Sequence, residues 1–196
     1  MKTSSNENCC AKQCSANPVS MLKKNVEKAL NQQIAKEAHA SFLYLSIASW
    51  CDMKGFDGAA AFMYRHSEEE RMHMLKLFHY INHSGGYALT PAIQQPNYEY
   101  KSLAEVFRTV YESERMVTES VNELVEICTS ERDFSSLNFI QWYVAEQHEE
   151  EVLFRSILDK IELVGDDGKG LFMLDQYLTT LNAQQAANDS ADASEA

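Results

Sequence analysis

Three polar residues in the first half of the chain, Glu37, Glu70 and His73, are matched 77 positions later by Glu114, Gln147 and Glu150. Within each half the spacing is the same: 33 residues, then three. Residues three apart lie on one face of a helix, so Glu70 with His73, and Gln147 with Glu150, each aim two ligand atoms at one point. Carboxylate and imidazole donors without a thiolate suit a hard or borderline cation such as iron, manganese or zinc. The two halves are not equivalent. Glu37, Glu70 and His73 make a strong three-ligand set, and Glu70 is placed to bridge to a second position completed by Glu114 and Glu150. That second position has Gln147 and Glu150 where a symmetric pattern would have Glu and His, so it loses an imidazole and gains a neutral amide. A weaker, more open position suits a metal that must leave as product better than a permanent redox cofactor.

The local context favours ligands over a solvated face. Glu37 stands between Ile34 and Ala38, ahead of the apolar run Phe42 to Leu45; Glu114 is one turn from Tyr111 and close to Met116 and Val117; Glu70 and His73 neighbour Met72 and Met74. Acids so placed are expected to point toward the core, where an unpaired carboxylate is costly and a cation is the usual compensation. Glu69, Glu146 and Glu149 surround the centre, and Glu146 and Glu149 are again three apart; with Glu150 they are candidates for a third cation position. Tyr44 follows Glu37 by seven residues, two turns on the same face, and is a candidate electron donor. Trp142, five before Gln147, is read as core packing. His66, His79, His83 and His148 have no counterpart in the repeat and are assigned to surface or structural positions.

These residues need helices to hold them. Only 7 Gly and 3 Pro in 196 residues argue for long uninterrupted helices. Periodic apolar positions Val26, Leu30, Ile34, Ala38, Phe42, Leu45 and Ala48 predict a first helix from about Met21 to Met53, with Gly55 as its stop. Ala60, Met63, Met74, Leu77, Phe78 and Ile81 predict a second from Asp57 to about Ser84, ended by Gly85 and Gly86. Residues 87–101 carry Pro91 and Pro96 and no helical period. Such a linker spans the length of a bundle when the second and third helices run parallel. Ser102-Leu-Ala-Glu105 has the capping-box form and starts the third helix, to about Thr129. Asp133 to Ser136 offers caps for a fourth helix reaching Val164. Gly165 to Gly170 is a turn, since it lacks the alternating oxygens and terminal Glu of a calcium loop. Leu171 to Leu181 predicts a short fifth helix that must pack on something to be stable. The expected organisation is a disordered Cys-containing extension over 1–20, an all-α four-helix bundle with a long crossover and short fifth helix over 21–183, and a disordered tail over 184–196.

The net charge of −12 excludes nucleic acid as an expected partner, because phosphate contacts need clustered Lys and Arg, and an acidic surface attracts cations instead. No apolar run approaches a membrane span, and Met1 to Ser20 lacks the apolar stretch of a secretory signal. A cytoplasmic location is expected, with an organelle-targeting role for residues 1–20 disfavoured by the absence of Arg there. Cys51 and Cys128 fall within predicted helices as packed thiols, whereas Cys9, Cys10 and Cys14 crowd into the extension at a spacing that fits no zinc pattern.

The chain resembles ferritin, specifically the bacterial non-haem type, over about residues 21 to 184. The resemblance is carried by Glu37 with Tyr44, Trp50-Cys51, Gly58-Ala-Ala-Ala-Phe62, His66-Ser-Glu-Glu-Glu-Arg-Met-His73, and Gln141-Trp-Tyr-Val-Ala-Glu-Gln-His-Glu-Glu-Glu151. It implies a 24-subunit homo-oligomeric cage, oxidation of Fe(II) by O2 or H2O2 at an intrasubunit di-iron centre, and storage of ferric mineral. It further implies a first iron site of Glu37, Glu70 and His73, and a second of Glu70, Glu114 and Glu150 with Gln147 nearby. The third site would use Glu69, Glu146, Glu149 and Glu150, with Tyr44 beside the centre. Haem-binding relatives carry an axial Met directly after the bridging Glu. Arg71 stands there, and Met72 is turned about 100° around the helix, so no haem is expected. Animal ferritins place acids where Leu137 and Ile140 stand, so that family's iron channel is not expected here.

Two other classes compete: a rubrerythrin-like di-iron peroxidase and a catalytically silent cage subunit. The peroxidase class usually carries a Cys-x-x-Cys iron site, which the sequence lacks. The silent class is disfavoured because all six paired positions keep oxygen or nitrogen donors. A ferroxidase is the expected function.

Overall fold

The computed structural model describes residues 20–165 and 167–195, with side chains described through residue 187. The cluster of Cys9, Cys10 and Cys14 lies outside the described residues. Among the described residues six helices follow one another: α1 (Lys24–Lys54), α2 (Asp57–His83), α3 (Leu103–Ser130), α4 (Phe134–Phe139), α5 (Gln141–Val164) and α6 (Gly168–Glu195). No strand occurs among the described residues, and no helix there is long and apolar enough to cross a membrane.

Tight connections set α1 against α2. Gly55 takes the left-handed conformation (φ 79°) that lets its N–H cap the last turn of α1, a conformation residues with a Cβ rarely adopt. The linker after α2 then climbs along α1. Near its start Tyr87 N–H donates to Glu27, and Leu89 N–H donates to Asn31 Oδ1 at 2.7 Å; near its end Asn97 O accepts from Ser46 Oγ at 2.8 Å. From Asn31 to Ser46 is roughly 22 Å of helix at about 1.5 Å per residue. The predicted crossover therefore travels most of the bundle length before Ser102, whose Oγ accepts from Glu105 N–H and opens α3. Glu105 reaches back to the N–H of Lys101, one residue before the reciprocal position of the standard box.

The fourth predicted helix is interrupted. Asp133 caps α4 through Ser136 N–H at 3.1 Å, but at Ile140 the carbonyl accepts from both Tyr143 N–H (3.0 Å) and Val144 N–H (3.3 Å), a tightened turn that separates α4 from α5. No Gly or Pro marks it. Buried Ile140 and the stacking of Phe139 on Tyr80 (centroids 3.8 Å apart) hold the bend by packing instead.

The fifth helix is longer than the predicted Leu171 to Leu181, because Ala183, Gln184, Gln185, Ala186 and Ala187 continue it at little conformational cost. It docks on α2 through Asp175, whose carboxylate accepts from Gly58 N–H (3.0 Å) and Ala59 N–H (2.8 Å), two of the unpaired donors at that helix start. Contact is so close that a Cβ on Gly58 would lie 2.1 Å from the Asp175 carbonyl oxygen.

Two apolar clusters fill the bundle. One gathers Tyr44, Ile47, Phe62, Met63, Phe107, Phe154 and Leu178; the other gathers Val26, Leu30, Ile34, Leu77, Ile81, Val121, Leu124 and Tyr143. Phe42 and Leu45, read as core from the sequence, are about half exposed at 50% and 44%. The buried stripe of α1 instead runs through Ser41, Tyr44, Ile47 and Cys51.

Candidate metal centre

A buried polar layer lies along the bundle between the two apolar clusters. Glu37 comes from α1, Glu70 and His73 from α2, Glu114 from α3, and Gln147 and Glu150 from α5. Each of the four acids and Gln147 is no more than 8% exposed. Sequence neighbours are a poorer guide than helical phase: Met72 and Met116, beside the site in sequence, are exposed.

Glu37, Glu70 and His73 form a compact group. His73 Nδ1 lies 3.7 Å from Glu37 Oε2 and 3.6 Å from Glu70 Oε2, and neither His73 Nδ1 nor Glu37 Oε2 has a hydrogen-bond partner. The other oxygen of Glu37 accepts from Gln33 Nε2 at 2.8 Å, and the same amide reaches the Tyr143 hydroxyl at 3.1 Å. Gln33 Oε1 in turn accepts from Ser120. These bonds lock the Glu37 carboxylate with one oxygen free toward His73. Sequence reading passed over Gln33; its signal was the position one turn before Glu37 on the same face.

Glu114 is held differently. One carboxylate oxygen accepts from the buried Tyr44 hydroxyl, and the other accepts from Gln147 Nε2 at 3.0 Å. Gln147 thus acts here as a donor to Glu114, with a further reach to the Glu114 carbonyl at 3.3 Å. Tyr44 touches the centre through this acid.

Burial dominates the electrostatics. It pushes the Glu37 carboxyl up to about 7, against hydrogen bonds that hold it down. Burial first, and neighbouring carboxylates second, raise Glu70 and Glu150 well above the ordinary range, and burial also raises Glu114. Burial likewise lowers His73 to about 4, leaving a neutral imidazole. A cation beside these four acids and the neutral histidine would favour the charged forms that burial disfavours. The oxygen and nitrogen donor set fits iron, manganese or zinc.

A second group has Glu150 as a member. Its partners are Glu69 and His66, whose ligand atoms lie within 4.8 Å of one another. Burial pushes His66 down to about 3. Of the other acids expected beside this group, Glu146 places Oε1 3.8 Å from His73 Nε2, and Glu149 is exposed. Trp142 stacks on Tyr143 (centroids 4.7 Å apart), lies 5.3 Å from the His73 ring and carries Lys76 Nζ 3.6 Å over its face, which bears out packing as its local role. His79, His83 and His148 are exposed. His66 is the histidine whose surroundings the sequence did not reveal.

Comparison with known proteins agrees with this architecture. The family profile of the ferritin-like domain matches residues 27–164. A probable bacterial non-heme ferritin-like protein of Haemophilus influenzae is 51% identical over 164 residues, 84% of this chain and 99% of its own length. The bacterial non-heme ferritin of Campylobacter jejuni is 48% identical, covering 82% of this chain and 96% of its own. Among solved structures, an open-pore ferritin from the archaeon Archaeoglobus fulgidus superposes with a TM-score of 0.79 at 40% identity, covering 81% of this chain and 97% of the other. With a bundle of this topology, a carboxylate-rich centre drawn from α1, α2, α3 and α5 and relatives this similar along nearly their whole length, the chain belongs to the ferritin family.

Proposed function

We propose that this protein is an iron-storage ferritin that oxidises Fe(II) to Fe(III) at an intrasubunit di-iron centre and keeps the ferric product inside a 24-subunit cage in the cytoplasm. The observation that supports it best is the single buried layer to which four helices contribute Glu37, Glu70, Glu114 and Glu150, with Glu37 and Glu70 facing a neutral His73. Iron is the substrate there. Glu37, Glu70 and His73 hold the first ion; Glu70, Glu114 and Glu150 hold the second, with Gln147 orienting Glu114.

Each Fe(II) gives up one electron, so two ions together reduce O2 to H2O2 with uptake of two protons, or reduce H2O2 to water. The burial that raises these carboxyls makes them proton-binding when empty, and they release those protons as the cations enter. Tyr44, hydrogen-bonded to Glu114, would supply one electron with its phenolic proton, and a third Fe(II) another, when O2 is taken all the way to two waters with uptake of three protons besides the phenolic one. Glu69, Glu146 and Glu149, with Glu150, are the candidates for a third iron position beside the centre.

The test is to load the purified assembly aerobically with Fe(II) in large excess over its sites and to run it through size exclusion with light scattering. The proposal requires ferric iron to co-elute with one species of about 24 subunits. Ferric precipitate outside the protein, or a small oligomer carrying no iron, would contradict storage.

A further inference from the structure

Helix α2 carries a second pair of metal-binding side chains, away from the buried layer. His79 and His83 are four apart, so they stand one above the other on a single helix face. Relative to His73 they lie roughly 9 and 15 Å further along the axis and are turned about 120° and 80° around it. Both are exposed. Their ring centroids are 6.2 Å apart, with planes 24° from parallel.

The turn that bears them is held from behind. Tyr80 O accepts from Ser84 N–H and Ile81 O accepts from Gly86 N–H, each at 3.0 Å, which closes the end of α2. Between the two histidines, Ile81 is buried and Tyr80 stacks on Phe139, with its hydroxyl 3.0 Å from Ser136 Oγ. The backbone under both imidazoles is thus clamped to α4, while the rings themselves can turn.

That geometry is close to a chelate. Two imidazole nitrogens each about 2.1 Å from one cation hold their ring centroids roughly 5 Å apart. A small rotation of two exposed side chains covers the difference. The pair lies in the last turn of α2, where the negative end of the helix dipole favours a cation. Lys76, one turn earlier, carries its ammonium 3.6 Å over the Trp142 ring. His79 and His83 open on a concavity of about 490 Å³, which leaves room for a cation and its waters, and the lining of that concavity contains no acid.

We propose that His79 and His83 chelate one divalent late-transition cation, of the Cu(II), Ni(II) or Zn(II) class, at the C-terminal end of α2. Two imidazoles without a carboxylate set the selectivity. Nitrogen donors suit these cations, Fe(II) stands below Ni(II) and Cu(II) in affinity, and Mg(II), Ca(II) and Mn(II) suit oxygen. The buried centre is the reverse, with four acids to one imidazole. The molecule therefore carries two donor sets of different preference, and a cation that competes with iron has a place outside the centre. This site goes beyond the proposed function and does not depend on it.

The test uses Ni(II), which keeps its oxidation state, on the intact assembly. Crystals soaked in Ni(II) should give an anomalous peak about 2.1 Å from a ring nitrogen of both His79 and His83. Calorimetric titration should show a step of one Ni(II) per subunit that His79→Asn and His83→Asn each weaken roughly tenfold or more, because either loss removes the partner held beside the remaining imidazole. His39→Asn, which removes an exposed histidine on α1, should leave that step unchanged, and excess Mg(II) should not displace it. A peak touching one ring or neither, or a step unchanged by either α2 substitution, overturns the chelate and leaves the buried centre and the proposed function standing. Displacement by Mg(II), or loss of the step in His39→Asn, overturns it equally. Should an α2 variant fail to fold, the anomalous map of the unaltered protein decides.

Discussion

Gln33 holds Glu37 from one turn away, donating a 2.8 Å hydrogen bond to one carboxylate oxygen and leaving the other turned toward His73. The same amide side chain joins α1 to Tyr143 on α5 and Ser120 on α3. One residue thus sets the angle of a candidate ligand and ties three helices. Gln33→Leu should weaken Zn(II) binding at the Glu37 group by roughly 10–100-fold, the usual effect of losing an orienting partner. It should also destabilise the apoprotein by about 1–3 kcal/mol through orphaned buried polar groups. Calorimetric titration and thermal melts check the two effects separately.

Tyr44 reaches the centre through Glu114, so its role should be separable from loading. Tyr44→Phe keeps the ring in its buried pocket and removes only the hydroxyl. Zn(II) loading should stay within about twofold, since neither ligand count nor packing changes. The Fe(II) consumed per O2 should fall toward the two-electron limit, with more H2O2 released. Oxygen-electrode and peroxide assays at low Fe(II) measure both. An unchanged ratio would reduce Tyr44 to packing and a hydrogen bond.

The raised carboxyls tie metal binding to pH. Glu37 is held near 7, above its unfolded value of 4.5, so between those values the folded apoprotein binds more protons than the unfolded chain. Its contribution to stability is present below about 4.5 and is lost as pH rises through 7. Zn(II) needs the ionised form and should reverse that loss. The Zn(II)-induced rise in Tm should therefore grow from pH 6 to pH 8, with protons released on binding in the lower part of that range. A constant or shrinking shift would mean that the acids are already ionised in the empty protein.

Helix α6 is anchored at the start of α2 by Asp175, beside the core packing of Leu174 and Leu178. The Asp175 carboxylate caps α2, and a Cβ on Gly58 would overlap the Asp175 carbonyl oxygen at 2.1 Å. Gly58→Ala should destabilise the protein by roughly 1–3 kcal/mol, or undock α6. Hydrogen exchange would locate the loss: protection falling in α6, with the metal centre little affected, is the expected pattern.

Much of this site is legible in the sequence because helices convert spacing into direction. Glu70 and His73, three apart, face one point, and the 77-residue repeat announces that a second helix pair supplies the rest. Helix ends were similarly readable where a backbone cap marks them, as at Gly55 and Ser102. What depends on packing across helices was not. The break at Ile140 has no Gly or Pro to betray it, and Phe42 and Leu45 follow the apolar period yet face outward. His66 illustrates the limit best. His66-x-x-Glu69 has the same spacing as Glu70-x-x-His73, reversed, but its counterpart 77 residues on is Tyr143, so the repeat concealed it. The structure supplies the missing fact, a Phe62 carbonyl that fixes which nitrogen faces the acids.

The central claim is that one buried centre bridged by Glu70 oxidises iron. The most direct measurement is rapid-mixing absorbance of the purified apoprotein with a few Fe(II) per subunit in aerated buffer, beside Glu70→Ala. The account predicts a fast oxidation phase that saturates at a few Fe(II) per subunit and disappears in the variant. A fast phase of equal rate and amplitude in Glu70→Ala would contradict it.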